Sequence, residues 1–359
     1  MIDRRALLRS GFAAGAGLLT GPAAAQAGNS LRSLAAAKGF LYGSATATYE
    51  LKDLDFAALL PREAAILVPE YEMKRRDVEP QPGTYDFSTT DTLMHFARGH
   101  DMVMRGHPLV WYTANPPWLE QAVLASPNEK PLVDYVGALA QRYRGRMHSW
   151  DVVNEALAPD GSGWRDCFWL RRYGHAYVDL AFQAARAADP EGLLVYNDFG
   201  CEQGPNDRFR AQTLNLLDGL LQRRVPVQAL GLQAHLSAFG PKVDQKKLRD
   251  FLGTVHDRGL KILVTEFDVD DENGPSDFTA RDRAVADEAA RFLDVVLDSP
   301  ATIAVLSWGL SDRYLDPPDS LRLKLMGWRG RKLPYDAQMK RKPLWDAMAA
   351  AFARRRISY

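Results

Sequence analysis

Short runs of apolar residues recur eight times along the chain, each four or five residues long. Runs of this length that are apolar throughout are typical of parallel strands buried on both faces. The pattern therefore predicts eight buried strands. The runs are Phe40–Gly43, Ala65–Val68, Met102–Gly106, Ser149–Val153, Leu193–Asn197, Ala229–Gln233, Ile262–Glu266 and Ala304–Trp308.

The segments between these runs have the spacing of amphipathic helices, with one apolar face each. Clear examples are Leu248, Phe251, Leu252 and Val255, and then Ala289, Phe292, Leu293 and Val296. Alternating strands and helices without a Gly/Ser-rich or Pro-rich linker predict a single closed (β/α)8 barrel, a TIM barrel of the α/β class. A doubly wound open sheet is the alternative. It is disfavoured because Gly43–Ala47 lacks the Gly-x-Gly-x-x-Gly pattern.

The N-terminus has a different pattern from the rest of the chain. Asp3–Arg9 contains the pair Arg4-Arg5, and the apolar stretch Gly11–Leu19 and the small residues of Pro22–Ala27 follow it. This order is typical of a twin-arginine export signal, although a plain basic amphipathic N-terminus is the alternative. We expect residues 1–27 to be the signal and 28–359 the folded domain, in a periplasmic or secreted protein. The apolar stretch is too short for a permanent membrane anchor.

Composition narrows the range of partners. Lys and Arg together number 45, as do Asp and Glu, so the net charge is +0. This balance argues against nucleic acid or a membrane surface as partner and favours a neutral or weakly charged one. We expect a monomer.

Neither the cysteines nor the histidines predict a metal or another cofactor. Cys167 and Cys201 are the two cysteines, too few for a paired-cysteine zinc module. They can pair in an oxidising compartment or remain free thiols. His95, His100 and His107 are close in sequence but lack the carboxylate or thiolate spacing of a metal site.

Two glutamates end apolar runs and are the strongest candidates for chemistry. Glu155 ends the run that begins at Trp150, and Glu266 ends the run that begins at Ile262. One such glutamate is often only a helix cap or an ion-pair partner. In a parallel barrel, however, the carboxyl ends of the strands form the active face, so two of them converge. Two converging carboxyl groups are typical of glycosidic-bond cleavage.

Six motifs in order resemble those of glycoside hydrolase family 10, from about Phe40 to the helix start at Lys342–Trp345. They are Glu70-Tyr71-Glu72-Met73-Lys74, Arg105–Trp111, Trp150–Glu155, Gly231–Leu236, Thr265–Asp268 and Ser307-Trp308-Gly309. The resemblance implies a (β/α)8 barrel and, for most members, a retaining endo-β-1,4-xylanase. The expected partner is then a polysaccharide or oligosaccharide substrate.

The resemblance also implies roles for individual residues. Glu155 is similar to the family's acid/base and Glu266 to its nucleophile, and a retaining pair needs its carboxyl groups only ~5 Å apart. Asp268 is expected to orient His235, which in turn bonds Glu266. Asn154 is expected to bind the sugar hydroxyl beside the reacting carbon.

Further residues are expected to line the sugar position next to the cleaved bond. Indole faces suit the C–H faces of sugar rings, while charged and amide groups bind hydroxyls. The alternative for each tryptophan is core packing. The predicted lining residues are Glu70, Lys74, His107, Trp111, Gln233 and Trp308. Those taken as structural are Trp118, Trp164, Trp169 and Trp345.

The departures from the family pattern lie mainly one sugar further out. Tyr71 stands where the family commonly has Asn, Arg75 where it has Trp and Ala114 where it has Gln. Loss of the two amides weakens xylose recognition by on the order of 1 kcal/mol per contact. Arg75 is either a substrate-binding residue for an acidic sugar or a solvated side chain. Other departures are Tyr112, Gly200 and Asp316.

Three functions remain open at this point. The first is a retaining xylanase-like hydrolase, and the second is the same mechanism acting on another β-glycan, such as an acidic exopolysaccharide. The third is a catalytically silent carbohydrate-binding barrel. Because both glutamates are present together with His235 and Asp268, the third is disfavoured.

Overall fold

Eight parallel strands close into a barrel in the computed structural model, which describes residues 30–315 and 330–356. The predicted export signal and Asp316 lie outside the described residues. The strands are β1 Leu41–Thr46, β2 Ile66–Pro69, β3 Val103–Gly106, β4 Met147–Asn154, β5 Leu193–Asp198, β6 Ala229–Leu232, β7 His235–Ser237, β8 Lys261–Asp270 and β9 Thr302–Ser307.

Helices alternate with these strands, as the amphipathic spacing predicts. They are α1 Leu31–Ala36, α2 Leu54–Glu63, α3 Arg75–Val78, α4 Ser88–Gly99, α5 Leu119–Ala125, α6 Lys130–Arg142, α7 Phe168–Tyr173, α8 Ala176–Ala188, α9 Asp207–Gln222, α10 Gln245–His256, α11 Phe278–Val296 and α12 Pro343–Arg354. None of the helices in the described part of the chain is both long and apolar enough to cross a bilayer.

Two strand pairings close the ring. β1 pairs with β9 as well as with β2, and β8 pairs with β6 as well as with β9, so the sheet returns on itself. The predicted (β/α)8 barrel is therefore confirmed, and the open-sheet alternative is wrong. Closure leaves the eight barrel strands without a free edge.

The short strand β7 was not predicted. It lies outside the barrel ring and pairs with the far half of β8, with His235 opposite Asp268. The predicted run Ala229–Gln233 ends earlier, at Leu232, and Ala234 has a left-handed φ of 59° that separates β6 from β7. β8 continues beyond Glu266, where the predicted run ends, to Asp270.

Apolar side chains form two layers. The small inner layer fills the barrel, and a larger layer lies between strands and helices. The predicted apolar faces of α10 and α11 are buried in the larger layer, as are Trp169 and Trp345. Cys167 and Cys201 are both buried and free, so they do not pair.

Candidate active site

Glu155 and Glu266 lie at the carboxyl-end face of the barrel. Glu155 directly follows β4, and Glu266 lies in β8 where its register against β9 shifts between Val264 and Phe267. Both are buried, with relative exposures of 8% and 5%. Hydrogen bonds through amide side chains connect the two carboxylates, as their predicted convergence requires.

A left-handed backbone at Glu155 brings two neighbouring side chains together. Glu155 has a φ of 58°, an uncommon value for a residue other than glycine. In an extended strand Asn154 and Glu155 would point to opposite sides, but here Asn154 Nδ2 donates to Glu155 Oε1 at 3.2 Å. Such backbone strain is concentrated at functional sites. The left-handed backbone thus brings the Asn154 and Glu155 side chains into contact.

Amide side chains join the two carboxylates. Asn197, near the end of β5, donates from Nδ2 to Glu266 Oε1 at 2.8 Å and to Asn154 Oδ1 at 2.9 Å. Gln233 donates from Nε2 to Glu155 Oε1 at 3.0 Å and to Asn154 Oδ1 at 3.2 Å. We call Asn154, Glu155, Asn197, Gln233 and Glu266 the proximal cluster. Its hydrogen bonds form one continuous path between the two glutamates.

Asn197 was missed in the sequence, although a signal was present. It ends a predicted strand with a polar group, as do Glu155 and Glu266. Its orientation is fixed because the Thr265 hydroxyl donates to Asn197 Oδ1 at 2.7 Å. Room for the amide depends on Gly231, where a Cβ would lie 2.2 Å from that same oxygen.

A line of alternating charges supports Glu266. His235 Nε2 lies 3.2 Å from Glu266 Oε2, and its Nδ1 lies 3.1 Å from Asp268 Oδ1. Burial by itself lowers the pKa of His235, but Asp268 and Glu266 outweigh burial and raise it to about 10. At neutral pH the imidazolium therefore donates to both carboxylates. Asp268 also binds Lys332 Nζ, at 2.7 Å from Oδ2.

Glu266 is held in its ionised form. Burial by itself raises the pKa of Glu266, but the hydrogen bond from His235, the nearby His107 and the amide of Asn197 outweigh it, so the net shift is downward. A carboxylate that stays ionised is suited to act as a nucleophile.

Arg165 adjoins the other glutamate. Its Nε donates to the Glu155 backbone oxygen at 2.9 Å, and its Nη2 lies 3.6 Å from Glu155 Oε2. The guanidinium also stacks over the Tyr112 ring at 4.2 Å. Arg165 lies in the segment after β4, and nothing in its local sequence pattern indicated this contact.

His107 and Trp308 lie near Glu266 and its partner His235. His107 Nδ1 is 2.9 Å from Asp151 Oδ2, and Asp151 also pairs with the buried Arg105. The Trp308 ring meets His107 edge-on at 5.3 Å and His235 at 6.3 Å. The predicted lining residue Trp308 therefore contacts both His107, another predicted lining residue, and His235, which bonds Glu266.

Lys74 occupies the neighbouring position with Tyr71 and Trp111. Its Nζ lies 4.8 Å from the Tyr71 ring centroid and 5.5 Å from that of Trp111. Burial lowers the pKa of Lys74, and the charges of Glu70 and Glu266 partly offset it. Because the charge of Glu266 acts on Lys74, this predicted lining residue, in the segment after β2, faces the same region as Glu266.

The structure corrects the interpretation of Arg75. Its side chain is only 6% exposed, so it is not solvated. Its Nη2 pairs with Glu79 at 2.7 Å, its Nη1 donates to the Pro131 oxygen at 2.8 Å, and it stacks on Tyr135 at 4.1 Å. The two-pronged carboxylate contact predicted for an acidic sugar is thus made inside the chain, because Glu79 follows four residues later.

Ala114 lies near this pair, in a left-handed backbone conformation with a φ of 53°. It lines a small cavity together with Lys74 and Trp111. We call Tyr71, Arg75 and Ala114 the distal cluster. Within residues 30–315 and 330–356, no group of three or more His, Cys, Asp or Glu side chains is arranged to hold a metal ion.

Comparison with known proteins gives a consistent result. The model of glycosyl hydrolase family 10 matches residues 30–351. Endo-1,4-β-xylanase B of Thermotoga neapolitana is 31% identical over 289 residues, which cover 80% of this chain and 80% of that protein. Endo-1,4-β-xylanase of Agaricus bisporus is 30% identical, covering 89% of this chain and 93% of that protein. Xylanase 10B from Thermotoga petrophila RKU-1, solved in complex with xylobiose, superposes with a TM-score of 0.80 at 28% identity, covering 90% of this chain and 97% of that one.

Proposed function

We propose that this chain, which belongs to glycosyl hydrolase family 10, is a retaining, endo-acting hydrolase of β-1,4-linked xylan-type polysaccharides. Family membership makes it a glycosidase. The names of its relatives, endo-1,4-β-xylanases, and the xylobiose bound to one structural neighbour support the choice of substrate. The observation that carries the mechanism is the pair of buried glutamates joined through amide side chains.

In the first step of this mechanism, Glu266 attacks the anomeric carbon and forms a glycosyl-enzyme. Glu155 donates its proton to the departing glycosidic oxygen. His235 and Asn197 bind one Glu266 oxygen each, which fixes the carboxylate for attack. These contacts keep Glu266 ionised without another general base.

In the second step Glu155, now ionised, removes a proton from water, which attacks the same carbon. The negative charge of Glu266 is absent while the sugar is bonded to it. A negative charge on Glu266 favours the protonated form of Glu155. Loss of that charge in the glycosyl-enzyme therefore lowers the proton affinity of Glu155, at the moment when Glu155 must act as a base. Gln233, bonded to Glu155 Oε1, holds the carboxyl in place through both steps.

A different β-glycan as substrate has less support than xylan. The idea of an acidic sugar depended on Arg75, whose guanidinium pairs with Glu79. Tyr71 and Ala114 then concern the strength of xylose binding rather than the type of glycan.

We also propose export, supported by Arg4-Arg5 and the apolar stretch that follows. Replacement of both arginines by lysine should retain the protein in the cytoplasm, as measured by cell fractionation. A periplasmic location for that variant would contradict a twin-arginine route.

The roles of the two glutamates are tested by azide rescue on activated aryl xylosides. Glu266→Ala should abolish turnover because no glycosyl-enzyme forms. Glu155→Ala should lose about 10²–10⁴-fold on xylan but keep the first step on aryl substrates, whose leaving groups need little protonation.

Product configuration decides between the two assignments. Azide should give a retained product with Glu155→Ala and an inverted product with Glu266→Ala. Glu191→Ala, at an exposed glutamate, is the matched control and should respond to azide as the unsubstituted chain does. The reverse pattern would exchange the roles, and failure of the unsubstituted chain to cleave xylan would refute the proposed substrate.

A further inference from the structure

Lys332 is a fixed component of the line of charges behind Glu266. Its neighbour Arg331 makes a two-pronged contact with Asp282, at 2.7 and 2.6 Å. On the other side, the Leu333 amide donates to Asp312 Oδ1 at 3.0 Å. The backbone is thus held on both sides, and the Lys332 ammonium is directed to Asp268 at 2.7 Å.

Charges alternate along this line. The order is Lys332, Asp268, His235 and Glu266, with contacts of 2.7, 3.1 and 3.2 Å. Asp268 is 2% exposed. Burial by itself raises the pKa of Asp268, but Lys332 and then His235 outweigh it and lower the pKa to about 2. A carboxylate this buried remains charged because it is paired on both sides.

Other charged groups surround the line on several elements. Asp270 and Glu70 act on Lys332, and burial together with the acidic groups nearby raises the pKa of Asp270. On the Glu266 side, His107, Lys74 and Arg105 contribute positive charge. Among these groups Lys332 is the cation that touches Asp268 without touching Glu266, so its influence on Glu266 passes through Asp268 and His235.

We propose that Lys332 is a positioning residue: it keeps Asp268 ionised, so that the Asp268 carboxylate holds the His235 ring in its contact with Glu266, and it thereby sets the acid limit of activity. This inference rests on the proposed role of Glu266 as nucleophile. With Lys332 present, the four groups sum to zero charge. Without it they sum to one negative charge, and a negatively charged cluster takes up its next proton at a higher pH.

The test compares Lys332→Gln with Lys332→Arg, with kcat/KM measured on an aryl xylobioside across the acidic range. The acid limb should move up by about one pH unit in Lys332→Gln and stay in place in Lys332→Arg. Lys246→Gln is the matched control because Lys246 also pairs with an aspartate, Asp250, at 2.6 Å but on an exposed helix face. It should leave the acid limb unchanged.

A second variant, Asp268→Asn, is used to separate a positioning role of Lys332 from a contribution to stability alone. In Asp268→Asn, Lys332→Gln should cause a clearly smaller further shift, because the carboxylate through which most of its effect passes is absent. A lower Tm of Lys332→Gln with an unmoved acid limb would overturn the proposal, and so would an equal shift in both backgrounds.

One readout is independent of catalysis. The ¹³C carboxyl signal of Asp268, titrated by NMR, should show proton uptake at higher pH in Lys332→Gln than in the unsubstituted chain. An unmoved titration would overturn the role of Lys332 even if the enzyme proves active. Loss of the proposed function alone, seen as a wild-type chain inactive on every xyloside, would leave this titration interpretable.

Discussion

Every residue of the proximal cluster is buried, whereas in the distal cluster Arg75 is buried and Tyr71 and Ala114 are half-buried. The charged groups Glu266, in the first cluster, and Arg75, in the second, also direct their hydrogen bonds differently. Glu266 makes one hydrogen bond on each carboxyl oxygen, from Asn197 and His235, so each oxygen keeps a lone pair for a further contact. Arg75 directs three of its five N–H groups to Glu79 and the Pro131 oxygen, so its charge is already paired with a carboxylate of the chain. Glu266 therefore keeps acceptor sites suited to a further contact, whereas the Arg75 cation serves a contact within the fold.

The largest expected effect tests whether Arg75 is structural. Arg75→Met leaves the Glu79 carboxylate buried without its cation, and loss of one partner of a buried pair costs about 3–5 kcal/mol of unfolding free energy. Arg76→Met is the control, because Arg76 is exposed and its pair with Asp77 at 3.4 Å should contribute less than about 1 kcal/mol. Urea denaturation measures both.

Arg75→Met/Glu79→Met should recover much of that loss, because no unpaired charge remains. If Arg75→Met instead kept its stability and lost activity on xylan, the distal cluster would contact substrate directly and the contrast between the clusters would fail.

The next effect tests the proximal cluster through Asn197. Asn197→Ala removes one hydrogen bond to the Glu266 carboxylate and one to Asn154, and a bond to a charged group contributes about 1.5–3 kcal/mol. We expect kcat/KM on xylan to fall about 10- to 100-fold. Asn128→Ala, at an exposed asparagine, is the control. A loss confined to Tm, with kcat/KM of the folded enzyme unchanged, would make Asn197 a purely structural residue.

A smaller gain is expected from restoring amides in the distal cluster. Tyr71→Asn/Ala114→Gln should raise kcat/KM on xylotetraose about tenfold, the equivalent of roughly one regained hydrogen bond. Ala114 already has a Cβ in the left-handed region, so glutamine adds little backbone strain. Xylotetraose hydrolysis that is unchanged in the double variant would show that Tyr71 and Ala114 are neutral.

The smallest expected effect is a pH dependence of stability through His235, whose side chain is 37% exposed, so that solvent screens much of its charge interaction. Its folded pKa, about 10, is above its unfolded value of 6.5, so its contribution is fully present below about pH 6.5. That contribution is lost as the pH rises through the folded value. The Tm difference between the unsubstituted chain and His235→Gln should therefore shrink between pH 7 and pH 10, as measured by calorimetry. A constant difference would place His235 in its neutral form.

The sequence predicted the barrel because strand and helix periods depend on local residues, and it predicted the two glutamates because they end strands. Lys332 and Arg165 escaped prediction because their contacts depend on the path of loops far apart in the chain. Arg75 was misread although Glu79 follows at four residues, a spacing that favours an ion pair on a helical turn. Whether an arginine is solvated or buried depends on packing by residues distant in the sequence, and the local sequence around Arg75 does not show that packing.

Gly231 illustrates a conflict between durability and chemistry. A glycine inside a strand weakens the strand, so replacing such glycines with valine or threonine is a common way to raise the stability of an enzyme. At Gly231 the added carbon would occupy the space of the Asn197 amide, 2.2 Å from its oxygen. A stabilising substitution that works at other strand glycines should therefore fail here, because it would displace the Asn197 amide from Glu266.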